Sequence, residues 1–303
     1  MKKFLIKISS FLILIILFFT GMTMLIPHNK VNYDYAYYNK LQRLDTLSSP
    51  RLVIVGGSNT VYCFDSKKIQ DSIGMNVHNM GIQAAVGLRF MVDRVSSKLN
   101  KGDKLIIMPE YQHFYTWYNG QNVALTDVVI YSGYDSWKLL NPSQLLLCIS
   151  EMPKYIKFSL IIKPTKEWTP RASTFNNWGD EQGHWVLPSR FKHDQLGLIK
   201  DEFFDYSVED LKKKVDKLCE KGVEVYFFWP NVIKSNYELN KNVVEEIRYK
   251  FNEHGLHFST TSDWFVQDDS VAFDSPYHFI YSGVEEATKR FIEAVRASSI
   301  VEN

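Results

Sequence analysis

Ile8 to Ile26 is a run of 19 residues without a charge, centred on Phe11-Leu12-Ile13-Leu14-Ile15-Ile16-Leu17-Phe18-Phe19. At helical rise the run reaches roughly 28 Å, about the thickness of a bilayer's hydrocarbon core, so it predicts one transmembrane helix. Lys2, Lys3 and Lys7 precede it, and the next positive residue is Lys30. That asymmetry places the N-terminus in the cytoplasm and everything after His28 outside. A cleaved signal peptide shares the basic start and apolar centre. No A-x-A-like site follows here, only Thr20-Gly21-Met22-Thr23-Met24-Leu25, so a retained single-pass anchor in the cytoplasmic membrane is expected, with an extracytoplasmic main domain.

Charge narrows the remainder. The chain has 35 Lys+Arg against 34 Asp+Glu, and since three of the basic residues and none of the acids lie in the first 26 positions, the rest carries a net −2. Binding to nucleic acid by phosphate neutralisation is excluded as a main role. The 45% hydrophobic content excludes a disordered chain. Cys63, Cys148 and Cys219 are widely spaced and form no CxxC, so they read as buried thiols rather than a disulfide framework.

Beyond the anchor (1–28), residues 29–50 are polar and tyrosine-rich and are expected as a stem. The domain then occupies 51–303. Leu52-Val53-Ile54-Val55, a short apolar run bounded by Gly56-Gly57, predicts a strand buried on both faces. A helix over about 61–73, a strand over 75–80, a helix over 88–99 and a strand over 104–108 follow. The rhythm resumes with a helix over 208–221, a strand over 223–228, a helix over 239–253, a strand over 256–260 and a last helix over 283–297. Such alternation predicts an α/β domain with a mainly parallel central sheet covered by helices. Between about 111 and 206 the rhythm breaks, leaving one expected helix near 143–161. This stretch reads as an insertion on the rim of the sheet.

Two segments carry candidate chemistry. In Val55-Gly56-Gly57-Ser58-Asn59 a buried strand turns abruptly into a helix, which brings the Ser58 hydroxyl to the carboxyl end of a central strand, where open α/β sheets bind ligands. Ser58 can be a helix cap, a phosphate ligand or a nucleophile; neither G-x-x-x-x-G-K-[ST] nor G-x-G-x-x-G is present. A nucleophilic serine needs an imidazole to take its proton and a carboxylate to orient that imidazole. Asp274 and His278, four residues apart in Phe273-Asp274-Ser275-Pro276-Tyr277-His278, offer both, although that spacing alone also fits a surface pair.

With Gly57-Ser58-Asn59, Asn79-Met80-Gly81, and Asp274 through His278 followed by Gly283, the sequence resembles the SGNH (GDSL-like) hydrolase superfamily, in particular its membrane-anchored members of cell-envelope acyl transfer. The resemblance covers about 51–110 and 207–298. It implies a three-layer α/β/α, flavodoxin-like fold, with Ser58 as nucleophile, His278 as general base and Asp274 as its orienting partner. The N–H groups of Ser58 and Gly81 are then oxyanion donors. It further implies acyl-ester chemistry through an acyl-serine, as an O-acyltransferase or an esterase acting on a cell-envelope glycan. The implied partners are an acyl-ester donor, a glycan acceptor or substrate, the membrane and a multispanning protein that delivers acyl groups. The alternative is a non-catalytic glycan-binding or assembly component of the same shape.

Two departures stand out. The family's commoner spacing is Asp-x-x-His, one residue shorter than here. Its third block usually supplies an oxyanion asparagine, whereas this sequence reads Met108-Pro109-Glu110-Tyr111-Gln112-His113. An ionised Glu110 cannot donate a hydrogen bond, which leaves Asn59 or Gln112 as candidate donors and His113 as a rival base. Trp117, Trp137, Trp168, Trp178 and Trp185 in the insertion are candidates for stacking on sugar rings, or for plain packing. Arg171, Arg190 and Lys192 are candidates for an anionic polymer. No cofactor or metal site is expected.

Overall fold

The structure is a computed structural model and describes residues 2–25, 28–160 and 169–301. Helix α1 (Lys2–Leu25) contains most of the uncharged run. Among the described residues no helix is long and apolar enough to cross a membrane. The transmembrane helix expected from the sequence is thus not found. A span needs the whole apolar run, and the side chains of Leu12, Ile16, Phe19, Thr20 and Met22 to Leu25, together with Ile26, lie outside the described residues.

Residues 29–50, expected as a stem, carry helix α2 (Tyr35–Thr46), which is packed into the domain. Tyr37, Leu41 and Leu44 are buried in the main core beside Val53 and Val55. Their spacing of three and four places them on one helical face, and covering that face requires a partner surface that only the domain supplies.

Strand β1 (Arg51–Gly56) is buried along its whole length. A short helix α3 (Ser58–Val61) follows, then α4 (Ser66–Ile73). The sequence predicts one helix here. It breaks because Asp65 caps a new start, its carboxylate accepting the Lys68 N–H at 3.1 Å, while Cys63 and Phe64 turn into the core. Strand β2 (Asn76–Asn79), helix α5 (Leu88–Ser96) and strand β3 (Lys104–Met108) complete the first half.

The insertion holds α6 (Asn122–Tyr131), α7 (Tyr134–Trp137) and α8 (Pro142–Leu160). Only α8 was legible as a helix. Residues Ala124 to Tyr131 of α6 are all buried, so its apolar side chains show no one-sided stripe. The second half contains α9 (Asp205–Glu220), β4 (Glu224–Phe227), β5 (Val232–Ile233), α10 (Lys234–Leu239), α11 (Lys241–Glu253), β6 (Val266–Gln267) and α12 (Tyr281–Ala297). The strand expected over 256–260 is reduced to one parallel bridge, Phe227 with Phe258. There the Thr260 hydroxyl, rather than a backbone carbonyl, takes the Trp229 N–H at 3.3 Å, so the ladder stops.

The main sheet is parallel with order β2-β1-β3-β4. Val53, Val55, Leu105 and Ile107 face one layer of helices, and Leu52, Ile54, Ile106 and Met108 face the other. The fold is α/β in three layers. After β1 the chain moves to one side to form β2 and to the other to form β3, which makes the carboxyl ends of β1 and β3 the topological switch point where such sheets open a crevice.

The opposite end of the sheet is closed by a buried ion pair. Arg51 Nε lies 3.1 Å from Asp103 Oδ2, with side-chain exposures of 3% and 0%. The guanidinium also donates to the carbonyls of Leu44, Leu47 and Lys98, and Asp103 accepts the N–H of Asn100 at 2.9 Å. Replacing Asp103 by Ala strands the guanidinium charge in the interior. The expected loss is about 3–5 kcal/mol of unfolding free energy, read from the shift of a denaturant unfolding curve.

Candidate active site

Ser58 and His278 line one cavity of about 310 Å³, together with Gln83, Glu110, Gln112 and Trp117. Ser58 follows β1 and Glu110 follows β3, so the switch point of the sheet sets this pair side by side. Ser58 Oγ donates to Glu110 Oε1 at 3.0 Å, and the Asn59 N–H donates to the same oxygen at 3.0 Å. Glu110 is buried. Desolvation pushes its carboxyl above the ordinary value, against the opposing pull of the Asn59 N–H, the charge of His278 and the Ser58 hydroxyl.

The late pair is assembled despite its longer spacing. Asp274 Oδ1 lies 2.6 Å from His278 Nδ1. Residues 272–279 form a tight hairpin: Ala272 bridges Phe279, the Phe273 N–H donates to the His278 carbonyl at 2.7 Å, and the His278 N–H donates to the Ser275 carbonyl at 3.2 Å. Turning back on itself brings the side chains at the two ends together, which a linear reading of four residues does not reveal. The imidazole stacks on Tyr62 with ring centroids 4.0 Å apart and an interplanar angle of 14°. Its Nε2 is buried and has no hydrogen-bond partner. The Ser58 hydroxyl is therefore held by Glu110 and not by His278.

The expected oxyanion set is corrected at two places. The Gly81 N–H is already donated to Asn79 Oδ1 at 3.0 Å, because the Asn79 carboxamide folds back over its own turn. The other end of that carboxamide donates to the Thr60 carbonyl and to Asp180 Oδ1, both at 2.9 Å. Asn59 turns its carboxamide NH2 to the Met108 carbonyl at 3.3 Å and its N–H to Glu110, so it offers no donor to the cavity. Gln112 does line the cavity, with its Oε1 taken by the Thr116 hydroxyl at 3.1 Å. Its NH2 group is left as the side-chain donor.

His113 is no base. Its Nδ1 accepts the Glu110 N–H at 2.9 Å, which puts the hydrogen on Nε2, 3.2 Å from the Ala84 carbonyl. Burial lowers its pKa to about 4, so it stays a neutral brace between two loops. Of the tryptophans, Trp117 lines the cavity, while Trp178 bonds Gln70 and Trp185 packs on Tyr281. Trp137 packs against the core, and Trp168 lies outside the described residues. Arg171, Arg190 and Lys192 are not among the cavity's lining residues.

Three contributors escaped the sequence. Glu110, which in the sequence reads as a failed oxyanion donor, holds the Ser58 hydroxyl and the Asn59 N–H. Tyr62 supplies the platform under His278. Lys40 of α2 donates its ammonium to the Gly81 carbonyl, and burial lowers its pKa to about 7 against the opposing charge of Asp180. A lysine three residues before Arg43 on a tyrosine-rich segment carries no local signal of such a contact.

No protein-family model matches the chain, and no curated protein matches it.

A Cβ on Gly57 would meet Glu110 Oε1 at 2.3 Å. Gly57→Ala is expected to cost about 1–3 kcal/mol by overpacking. Adding Glu110→Ala should recover part of that loss, so that the double variant is more stable than additivity allows in denaturant unfolding. Glu110 also links stability to pH. Because its native carboxyl is raised, its contribution is fully present below the ordinary carboxyl value and is lost as pH rises through the native one. Glu110→Gln keeps the accepting oxygen without the charge, so its stability relative to wild type should improve from acid to neutral pH; a margin that stays flat across that range would contradict the assignment.

Proposed function

We propose that the protein is a membrane-anchored enzyme of the SGNH type that performs acyl-ester chemistry through an acyl-Ser58 intermediate, transferring an acyl group to a cell-envelope glycan or removing it. The observation that carries this reading is the Asp274–His278 pair at 2.6 Å, with the second imidazole nitrogen unpartnered and the ring lining the same cavity as Ser58. A base needs an open nitrogen and an orienting carboxylate, and a serine needs such a base within the same crevice.

In the reaction Ser58 Oγ leaves Glu110 and gives its proton to His278 Nε2 while attacking the acyl carbonyl. Asp274 stabilises the resulting imidazolium. The Gln112 NH2 group binds the oxygen that becomes negative, and the imidazolium proton passes to the departing oxygen. A glycan hydroxyl or water then gives its proton to His278 and takes the acyl group from Ser58, whose departing Oγ receives that proton back from the imidazolium. The cavity lining favours an uncharged, hydroxyl-rich partner. Gln83, Gln112, Gln195, Asn236 and Ser275 supply neutral hydrogen-bonding groups, Trp117 supplies a ring face, and the lining contains no Lys or Arg.

The location follows the same proposal: the run from Ile8 to Ile26 spans the cytoplasmic membrane with the N-terminus inside, keeping Ser58 near the bilayer for a multispanning acyl carrier. A second reading, a glycan-binding or assembly component, is favoured by the Ser58 hydroxyl being engaged with Glu110. Exposure to an activated acetyl ester, followed by mass spectrometry of the Ser58 peptide, separates the two. Wild type should gain one acetyl group there and Ser58→Ala none. His278→Asn should acylate about 10²–10⁴-fold more slowly. A wild type that never acylates, or a Ser58→Ala variant that acylates equally, sinks the enzymatic reading.

A further inference from the structure

A second imidazole–carboxylate pair lies behind the first, and both of its members come from the insertion. Glu181 Oε2 is 2.6 Å from His184 Nδ1, and both side chains are 0% exposed. His184 Nε2 is 2.9 Å from the Phe279 carbonyl. A carbonyl only accepts, so Nε2 carries a hydrogen. Glu181 also accepts the Gly183 N–H on Oε1 at 3.0 Å and the His184 N–H on Oε2 at 3.3 Å, contacts that suit an ionised carboxylate. Nδ1 must then carry a hydrogen as well. A neutral ring facing an ionised carboxylate would leave one of the two short contacts with lone pair against lone pair.

The pair joins both halves of the site. The Glu181 N–H donates to the Val61 carbonyl at 3.1 Å, at the end of the short helix that Ser58 opens. Phe279, the acceptor of His184, follows His278 directly and closes the hairpin that holds Asp274. Between the two imidazoles stands Tyr62, 4.0 Å from the His278 centroid and 4.9 Å from that of His184. The remaining groups facing the pair are the Tyr33 phenol, the Phe273 ring and, beyond Tyr62, the Asp274–His278 couple.

We propose that Glu181 and His184 are positioning residues: a buried pair that holds one proton and latches the His278 hairpin to the Ser58 helix. The inference rests on the reading of Ser58 and His278 given above. With the proton in place, His184 donates to both neighbours and fixes the carbonyl next to His278. A pair without it keeps only one of the two contacts, and the hairpin is freed at its base.

The test uses the full-length protein in lipid nanodiscs with ¹⁵N-labelled histidine. At neutral pH the nitrogens of His184, assigned by their loss in His184→Gln, should both show protonated shifts. In the acetyl-ester assay His184→Ala should acylate Ser58 about 10²-fold more slowly, the scale of a misplaced reacting group. His184→Gln, whose amide can still donate to the Phe279 carbonyl, should recover most of the rate. A neutral-tautomer pattern at His184 overturns the proposal. So does a His184→Ala variant that matches wild type in rate. Should His184→Ala fail to fold, the nitrogen shifts and the rate of His184→Gln decide alone. A wild type that does not acylate refutes the enzymatic reading, while the nitrogen shifts still decide whether the pair holds its proton.

Discussion

The turn from β1 into α3 depends on two backbones coming closer than any side chain allows. A Cβ on Gly56 would stand 2.6 Å from the Met108 carbonyl oxygen, and one on Gly57 would stand 2.3 Å from Glu110 Oε1. Because neither residue has a side chain, the end of β3 can lie directly against the turn. Ser58 thereby stands half-buried at the crevice, Glu110 is buried beside it, and the chain before Gly81 must fold tightly under Thr60, where a Cβ would come within 1.9 Å of Oγ1. Close approach of this kind is what glycine permits and what any other residue prevents.

Much of this was legible where one local signal sufficed. The unbroken apolar run of β1 marked a strand covered on both faces, and the lengths of β3 and α12 followed from the same patterning. That Ser58 and His278 meet at one cavity, with Asp274 on the imidazole, was readable because each lies in a short segment whose chemistry stands out. The rest required contacts far apart in sequence. Glu110 acquires its meaning only against Ser58, and Gly81 loses its expected donor role to Asn79, two residues away. Helix α6 hid its nature by being buried on every side, and α2 was mistaken for a stem because tyrosines pattern like a polar surface until their rings are seen packed.

Glu110 and His278 divide the control of one hydroxyl. The carboxyl holds Ser58 by a hydrogen bond at 3.0 Å, and the imidazole stands with Nε2 unpartnered in the same cavity. Burial raises the affinity of Glu110 for a proton, while Asp274 Oδ1 holds His278 by its Nδ1 at 2.6 Å. The two side chains thus reach the cavity from opposite ends of the sequence, one bonded to the serine and the other fixed by its own carboxylate.

The packing of α2 ties the segment nearest the N-terminal run to the site itself. Tyr37, Leu41 and Leu44 fill the main core, and Lys40 reaches the Gly81 carbonyl. The domain's mechanical boundary therefore lies before Tyr35 and not at Arg51. A force or displacement arriving through residues 29–34 is delivered to a helix that is part of the core, with no slack segment in between to absorb it. Because Lys40 lies on that same helix, any such displacement reaches the Gly81 carbonyl and the turn after β2 without passing through the sheet.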